Sequence, residues 1–355
     1  MKVGVFNTAF IGDVALMGKL IDALFHAGHE VVLYSNSVGC LLYEFDSRVA
    51  RVVAVKKQRG LGKINSIRSI ALQISEDSPD VLLLAHRSFT SGVIALLSGV
   101  RRVVAYEDAA FSQFLFEKVR CTQNQHESDR YVELARSLVS PESFDAAKLS
   151  LYGDSELSKF SRRFPEMLKS DRKFFICAPG SMWATKQYPV ELCARVVERL
   201  LTALPQMQCV ISGGPADREA LEGFTNALAK LSPSAQLVSR LVDARDCLPI
   251  SELIELTRRA DFVLTPDSAP LHIASATGTR VFAFFGPTSA QTGFGPLNSD
   301  SLVLDYQNIR GVPLECQPCS KHGQRLCPLG HHKCLAELPP DAVAARMLQS
   351  LLPRG

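Results

Sequence analysis

What the sequence lacks narrows its function first. No apolar run in its 355 residues reaches the roughly 18 needed for a spanning helix, because Asp13 interrupts the first and His86-Arg87 close the run at 81–85. The N-terminus has no secretory pattern, since it opens as a strand, KVGVF, and continues into a polar turn. A cytoplasmic location is therefore expected. The charge excess is small: a net +3 is too mild to imply nucleic acid, although it suits an acidic ligand. Low-complexity tracts and short repeats are absent. So is the dinucleotide fingerprint, since Gly4 and Gly12 do not give G-x-G-x-x-G, which argues against a nicotinamide-dependent oxidoreductase.

What is present is an ordinary globular composition, 46% hydrophobic and 21% charged, in a chain long enough for two cores. Apolar, β-branched runs recur at 2–6, 30–34, 51–55, 80–85, 102–105, 173–178, 207–212, 236–239, 261–265 and 280–285, with amphipathic, helix-length segments between several of them. That alternation predicts an α/β protein with mainly parallel sheets. Met17, Leu20, Ile21, Leu24 and Phe25 define one face of the first helix, with Gly28 placed as its C-terminal cap. A last helix is expected from Pro340 to Leu352. The strand series occurs twice, separated by the polar stretch LSKFSRRFPEMLKSDRK, so two doubly wound domains are expected, 1–168 and 169–355, with ligands at the carboxyl ends of their strands in a cleft between them.

Four strand-to-helix junctions carry chemistry. In VFNTAFIGDVAL, Gly12 permits a tight turn and Asp13 begins a helix, as an N-cap or as a functional acid. In FFICAPGSMWATKQYP, the loop Pro179-Gly180-Ser181 can bring backbone N–H groups to an anion, with Thr185 and Lys186 following; Lys186 either neutralises a phosphate or is a solvated surface lysine. In VISGGPADREAL, Asp217 is positioned to accept ribose hydroxyls or to cap a helix. In VLTPDSAPLHIASATGTRVFAFFGPTS, a helix starting near Ser268 directs its positive end at a ligand, which suits a pyrophosphate. Asp267 just ahead would be repelled by that phosphate and is suited to sugar hydroxyls. Ser268, Ala269, Leu271 and His272 complete this candidate donor site; His272 is a ligand contact or a packed core histidine.

These motifs, IGDVAL, PGSMWATKQYP, SGGPAD and PDSAPLHIASATGTRVFAFFGPT, resemble in order and spacing the pattern of glycosyltransferase family 9, the bacterial ADP-heptose:lipopolysaccharide heptosyltransferases. The resemblance spans about residues 2 to 343, and the last motif is the most specific. It implies a GT-B fold, two Rossmann-like domains facing across a cleft, and metal-independent, inverting transfer of heptose from ADP-heptose to a lipopolysaccharide core acceptor at the inner face of the inner membrane. Asp13 matches the family's general base, Thr185 and Lys186 the phosphate contacts, Asp217 a ribose-binding acid and Asp267 the acid that holds the heptose. Two positions depart from the pattern. Asn7 stands where the family commonly has Arg or Lys, and Ala269 stands where it commonly has Gly, which excludes an easy positive φ. Transfer to another acceptor, use of another nucleotide sugar, and a non-catalytic nucleotide-sugar-binding scaffold are the competing readings.

For the acceptor side, Asn7 and the basic residues Arg59, Lys63 and Arg87 are candidates for an anionic Kdo and phosphate-bearing partner; such runs are otherwise solvated faces. Ten cysteines are many for a cytosolic chain. Cys40, Cys121, Cys177, Cys193, Cys209 and Cys247 are expected as small core residues. Cys316, Cys319, Cys327 and Cys334, in CQPCSKHGQRLCPLGHHKC, have spacing that fits one structural Zn or Fe, or reduced or redox-labile thiols packing a C-terminal lobe.

Overall fold

Valine, leucine, isoleucine and phenylalanine fill the strand interiors, and a strand that is apolar on both faces is stable only between two helical layers. The computed structural model describes residues 1–58, 60–120, 125–169, 172–231, 235–245 and 248–351. It divides into two units, Met1–Gly153 and Asp154–Gly355. The first is built on β1 (Lys2–Asn7), β2 (Glu30–Ser35), β3 (Val49–Ala54), β4 (Val81–Leu84), β5 (Val103–Tyr106) and β6 (Glu117–Val119), in the order β3-β2-β1-β4-β5-β6. The second contains β7 (Lys173–Cys177), β8 (Met207–Ile211), β9 (Leu241–Asp243), β10 (Phe262–Pro266), β11 (Val281–Phe284) and β12 (Leu302–Leu304), in the order β12-β11-β10-β7-β8-β9. All the pairings are parallel.

Each sheet reverses its winding beside its first strand, at β1/β4 in one unit and β7/β10 in the other. Chain crossovers on opposite faces leave a crevice there at the carboxyl ends of the strands. Val3 lies across from Val31 on one side and Val81 on the other, which fixes the β1 register at this point.

The division falls earlier than the expected 168/169 boundary. Leu157, Phe160 and Met167 in the polar-looking linker are buried against Phe174, Ile176 and Val263, so apolar burial assigns 157–168 to the second unit. The run 236–239, expected as a strand, instead includes the helix Ala235–Val238, and the next apolar run supplies β9. Edge strands β6, β9 and β12 have three residues each, too short for a distinct sequence pattern. The first long helix runs Gly18–His26; Leu20, Ile21 and Leu24 are buried, but Phe25 is exposed. Gly28 follows at φ +74°, a left-handed turn that glycine adopts without strain. The last helix is Pro340–Leu351. Among the described residues no helix is long and apolar enough to cross a membrane.

Candidate functional site

The crevice of the second unit gathers most of the predicted donor residues. Strand β10 ends at Pro266, and Asp267 N–H continues the ladder to Phe284 O at 3.0 Å, so the acid is held rigidly at the strand tip. Its Oδ2 lies 2.7 Å from Lys186 Nζ and accepts from Thr288 Oγ1 at 2.7 Å, with both ionic side chains largely buried. Lys186 ends a short 3₁₀ turn, Ala184–Lys186, that follows β7. Thr288 was not singled out from sequence; its place after β11, the next strand over, was the available signal.

Behind this pair, the glycine loop is fixed by Asp217. This acid ends the 3₁₀ turn Pro215–Asp217 and accepts from Gly214 N–H at 3.1 Å. A Cβ on Gly180 would collide with the Asp217 carboxylate, so the loop after β7 and the loop after β8 meet only because residue 180 has no side chain. Ser181 is buried, with its hydroxyl accepting from Trp183 N–H at 3.3 Å and its carbonyl accepting from Gln187 Nε2 at 2.7 Å.

The helix Ala269–Thr277 begins beside Asp267, with Ser268 as its N-cap and Pro270 in its first turn. Thr265 and Ser268 hydroxyls are 3.1 Å apart. Ala269 is helical and outside the left-handed region, so its departure from the family glycine requires no strained backbone. Leu271 does not present a side chain to a ligand: it is wholly buried in the core, because this face of the helix covers β10. His272 is buried too, with Phe294 edge-on at 6.0 Å.

Thr185, expected at the phosphates, is turned the other way. Its hydroxyl donates to Gln324 O at 2.8 Å and accepts from Gln324 N–H at 2.8 Å, while its carbonyl lies 2.8 Å from His332 Nε2. The cysteine-rich segment thus clamps the Lys186 turn. It also donates Cys319 and Ser320 N–H to Pro287 O, both at 2.9 Å, and Gln317 Nε2 to Phe285 O at 3.0 Å.

Cys316, Cys319, Cys327 and Cys334 line a cavity of about 360 Å³ with His331 and Gly286. Burial, and then the neighbouring thiols, push Cys334 up to about 12. Among the described residues no three His, Cys, Asp or Glu side chains stand together as a formed metal site. Cys334 is buried against the core while Cys319 is exposed. Of the other cysteines, Cys177, Cys193 and Cys209 are core residues as expected, Cys40 is half-buried, and Cys121 and Cys247 lie outside the described residues.

In the first unit, Asp13 lies in the first turn of the short helix Ile11–Ala15, capped by Phe10 rather than serving as the cap itself. Its charge acts on Tyr131, whose hydroxyl is pushed well up, chiefly by burial and then by Asp13. Asn7, expected among the acceptor contacts, is instead fully buried. Its Nδ2 donates to Tyr131 OH at 3.4 Å and Met17 Sδ at 3.3 Å, and its Oδ1 accepts from Ala9 N–H at 3.0 Å, so it braces the loop leading to Asp13. Arg87 stacks on Tyr106 at 4.1 Å and reaches Asp108 at 3.4 Å. Lys63 is exposed at the start of the helix Lys63–Asp77, and Arg59 lies outside the described residues.

Two doubly wound units, one with a buried lysine–acid pair and a helix N-terminus at its switch point and the other with an acid after its first strand, define a protein of the two-Rossmann-domain class. The model of glycosyltransferase family 9 (heptosyltransferase) matches residues 67–329, and the chain belongs to this family. Lipooligosaccharide heptosyltransferase 2 of Campylobacter jejuni subsp. jejuni serotype O:6 is 22% identical over 349 residues, 97% of either chain. The solved E. coli ADP-heptose lps heptosyltransferase II superposes with a TM-score of 0.75 at 17% identity, covering 99% of this chain and 98% of that one. E. coli heptosyltransferase WaaC with ADP-2-deoxy-2-fluoro heptose gives 0.69 at 16% identity, covering 98% and 99%.

Proposed function

We propose that the protein moves a heptose from ADP-heptose, with inversion and without a catalytic metal, to a hydroxyl of a lipopolysaccharide inner-core acceptor bearing Kdo or heptose on lipid A. The observation that carries this reading is the Lys186–Asp267 pair at the β7/β10 switch point. A lone lysine there would suit any anion, and a lone acid any sugar. Together beside a helix N-terminus, they suit a sugar attached to a diphosphate. Lys186 lies between the acid and the place of the phosphates and removes the repulsion between them. The names of the relatives, which include ADP-heptose donors and lipooligosaccharide products, agree with that chemistry.

In the proposed step, Asp13 takes the proton of the acceptor hydroxyl as its oxygen bonds to the anomeric carbon. The bond from that carbon to the phosphate oxygen breaks on the opposite face, and its electron pair leaves with ADP. Lys186 and the N-terminus of the helix 269–277 stabilise the charge gathered on the leaving diphosphate. Asp267, held by Thr288, binds heptose hydroxyls, and Asp217 binds the ribose. Thr185 acts through the loop it anchors. The acceptor belongs to the first unit, and the reaction takes place at the cytoplasmic membrane surface.

Calorimetry with ADP and ADP-heptose on the parent and on Asp267→Ala, with UDP and NAD as controls, tests the donor assignment. ADP should bind both proteins alike, and the heptose should add affinity only in the parent. Asp13→Ala should retain donor binding and lose turnover. A parent protein that binds neither ligand would remove this reading.

A further inference from the structure

Among the described residues of the first unit, Lys57 has no carboxylate partner, and its ammonium lies at that unit's own switch point. Lys57 follows β3, Thr8 follows β1 and His86 follows β4; β1 and β4 are the strands between which the winding reverses. Lys57 Nζ donates to Ser91 Oγ at 2.9 Å, lies 3.5 Å from His86 Nδ1, and sits 5.2 Å from the centre of the Phe6 ring. Thr8 Oγ1 is 2.9 Å from the same imidazole nitrogen. Among the described residues no carboxylate pairs with Lys57. Burial consequently brings its ammonium down to about 8, and burial followed by the Lys57 charge brings His86 down to about 4.

The chemistry of the cluster limits what it can receive. An ammonium only donates, so His86 Nδ1 facing it is an acceptor, the ring is neutral near pH 7, and its N–H is on Nε2. Lys57 has three donors, of which two are directed at Ser91 and His86, leaving one. Among the described residues the site therefore offers one positive charge, with hydroxyls and a neutral imidazole beside it. A carboxylate carries one negative charge, whereas a phosphate monoester carries nearly two at neutral pH. Arg87 adds no uncompensated charge to the balance, since it reaches Asp108.

We propose that Lys57, His86 and Thr8 form a carboxylate-binding subsite that receives an acidic sugar of the acceptor and positions it beside the Asp13 loop. This rests on the acceptor reading above. It also explains how the chain dispenses with a cation at position 7: the charge enters from Lys57, beyond the end of β3, the second strand over from β1.

The test follows the Lys57 resonance in full-length protein carrying ¹³Cε-labelled lysine, assigned by its loss in Lys57→Arg. The methyl glycoside of Kdo should raise the Lys57 midpoint by about one pH unit or more, because an opposite charge favours the ammonium. Its carboxyl-reduced analogue should leave it in place. An equal rise with the reduced analogue, a larger rise with galactose 6-phosphate, or no rise overturns the proposal. The titration needs no turnover, so it stands or falls separately from the transferase reading. In transfer assays, Lys57→Met should raise the acceptor KM roughly ten- to hundredfold, more than kcat falls, leave the ADP-heptose KM nearly unchanged, and be partly rescued by Lys57→Arg. An acceptor KM equal to the parent's would overturn it as well.

Discussion

Lys186 and Asp267 form a largely buried ion pair, to which the proposed function gives a role in donor binding as well. Removing the lysine leaves a largely buried carboxylate that keeps the Thr288 hydroxyl but has lost its charged partner. Lys186→Met is expected to cost about 3 kcal/mol or more in urea unfolding, and Lys186→Met combined with Asp267→Asn should recover part of that loss. Equal stability of the single and double variants would show that the pair is not compensating a buried charge. His86 gives the pH counterpart. Its imidazole is at about 4 in the folded protein and near 6.5 in the unfolded chain. Between those values the unfolded chain binds more protons, so stability is full above 6.5 and is lost as pH falls towards 4, by at most about 3 kcal/mol. Unfolding measured at pH 7 and pH 4.5 should show a smaller difference in His86→Gln than in the parent.

The clamp made by residues 315–335 is an element-scale device. Thr185 accepts and donates with Gln324, and a Cβ on Gly286 would press on Leu335. Thr185→Val keeps the shape but leaves the Gln324 backbone N–H and carbonyl without that hydroxyl, and should destabilise by about 1–3 kcal/mol. Because the same turn carries Lys186, the ADP-heptose KM should rise in that variant while kcat is less affected; an unchanged KM would separate the clamp from the donor site. This contact was not legible in the sequence. Thr185 reads as a phosphate residue beside Lys186, and nothing local shows that a loop 139 residues away returns to occupy its hydroxyl. Legibility followed burial: the long central strands were recovered from their apolar runs, while the three-residue edges were not. Asp267 could be singled out because it directly follows β10, and Asp13 and Asp217 because each lies in the first turn beyond the loop that leaves β1 or β8. Asn7 could not, since its bond to Tyr131 crosses 124 residues.

At the scale of the molecule, each unit has its own buried centre, and the first unit contains a buried ionic network around Arg48. Arg48 donates to Asp22 Oδ1 at 2.7 Å, to Asp46 Oδ2 at 2.7 Å, and to the Ser150 hydroxyl and carbonyl at 2.7 and 3.0 Å. Burial opposes its charge, but Asp46 and then Asp22 outweigh burial and hold the guanidinium firmly protonated. The network ties residue 150, near the end of the unit, to the helix Gly18–His26 and to the turn before β3. Arg48→Met should therefore strand two buried carboxylates and lower the stability of the first unit by about 3–5 kcal/mol. The proposed donor groups all lie in the second unit, so ADP affinity measured by calorimetry below the first thermal transition should match the parent. Heating should then show one transition displaced downward and the other in place. A parallel loss of ADP binding would mean that the donor site depends on the first unit and that the assignment of ligands to units needs revision.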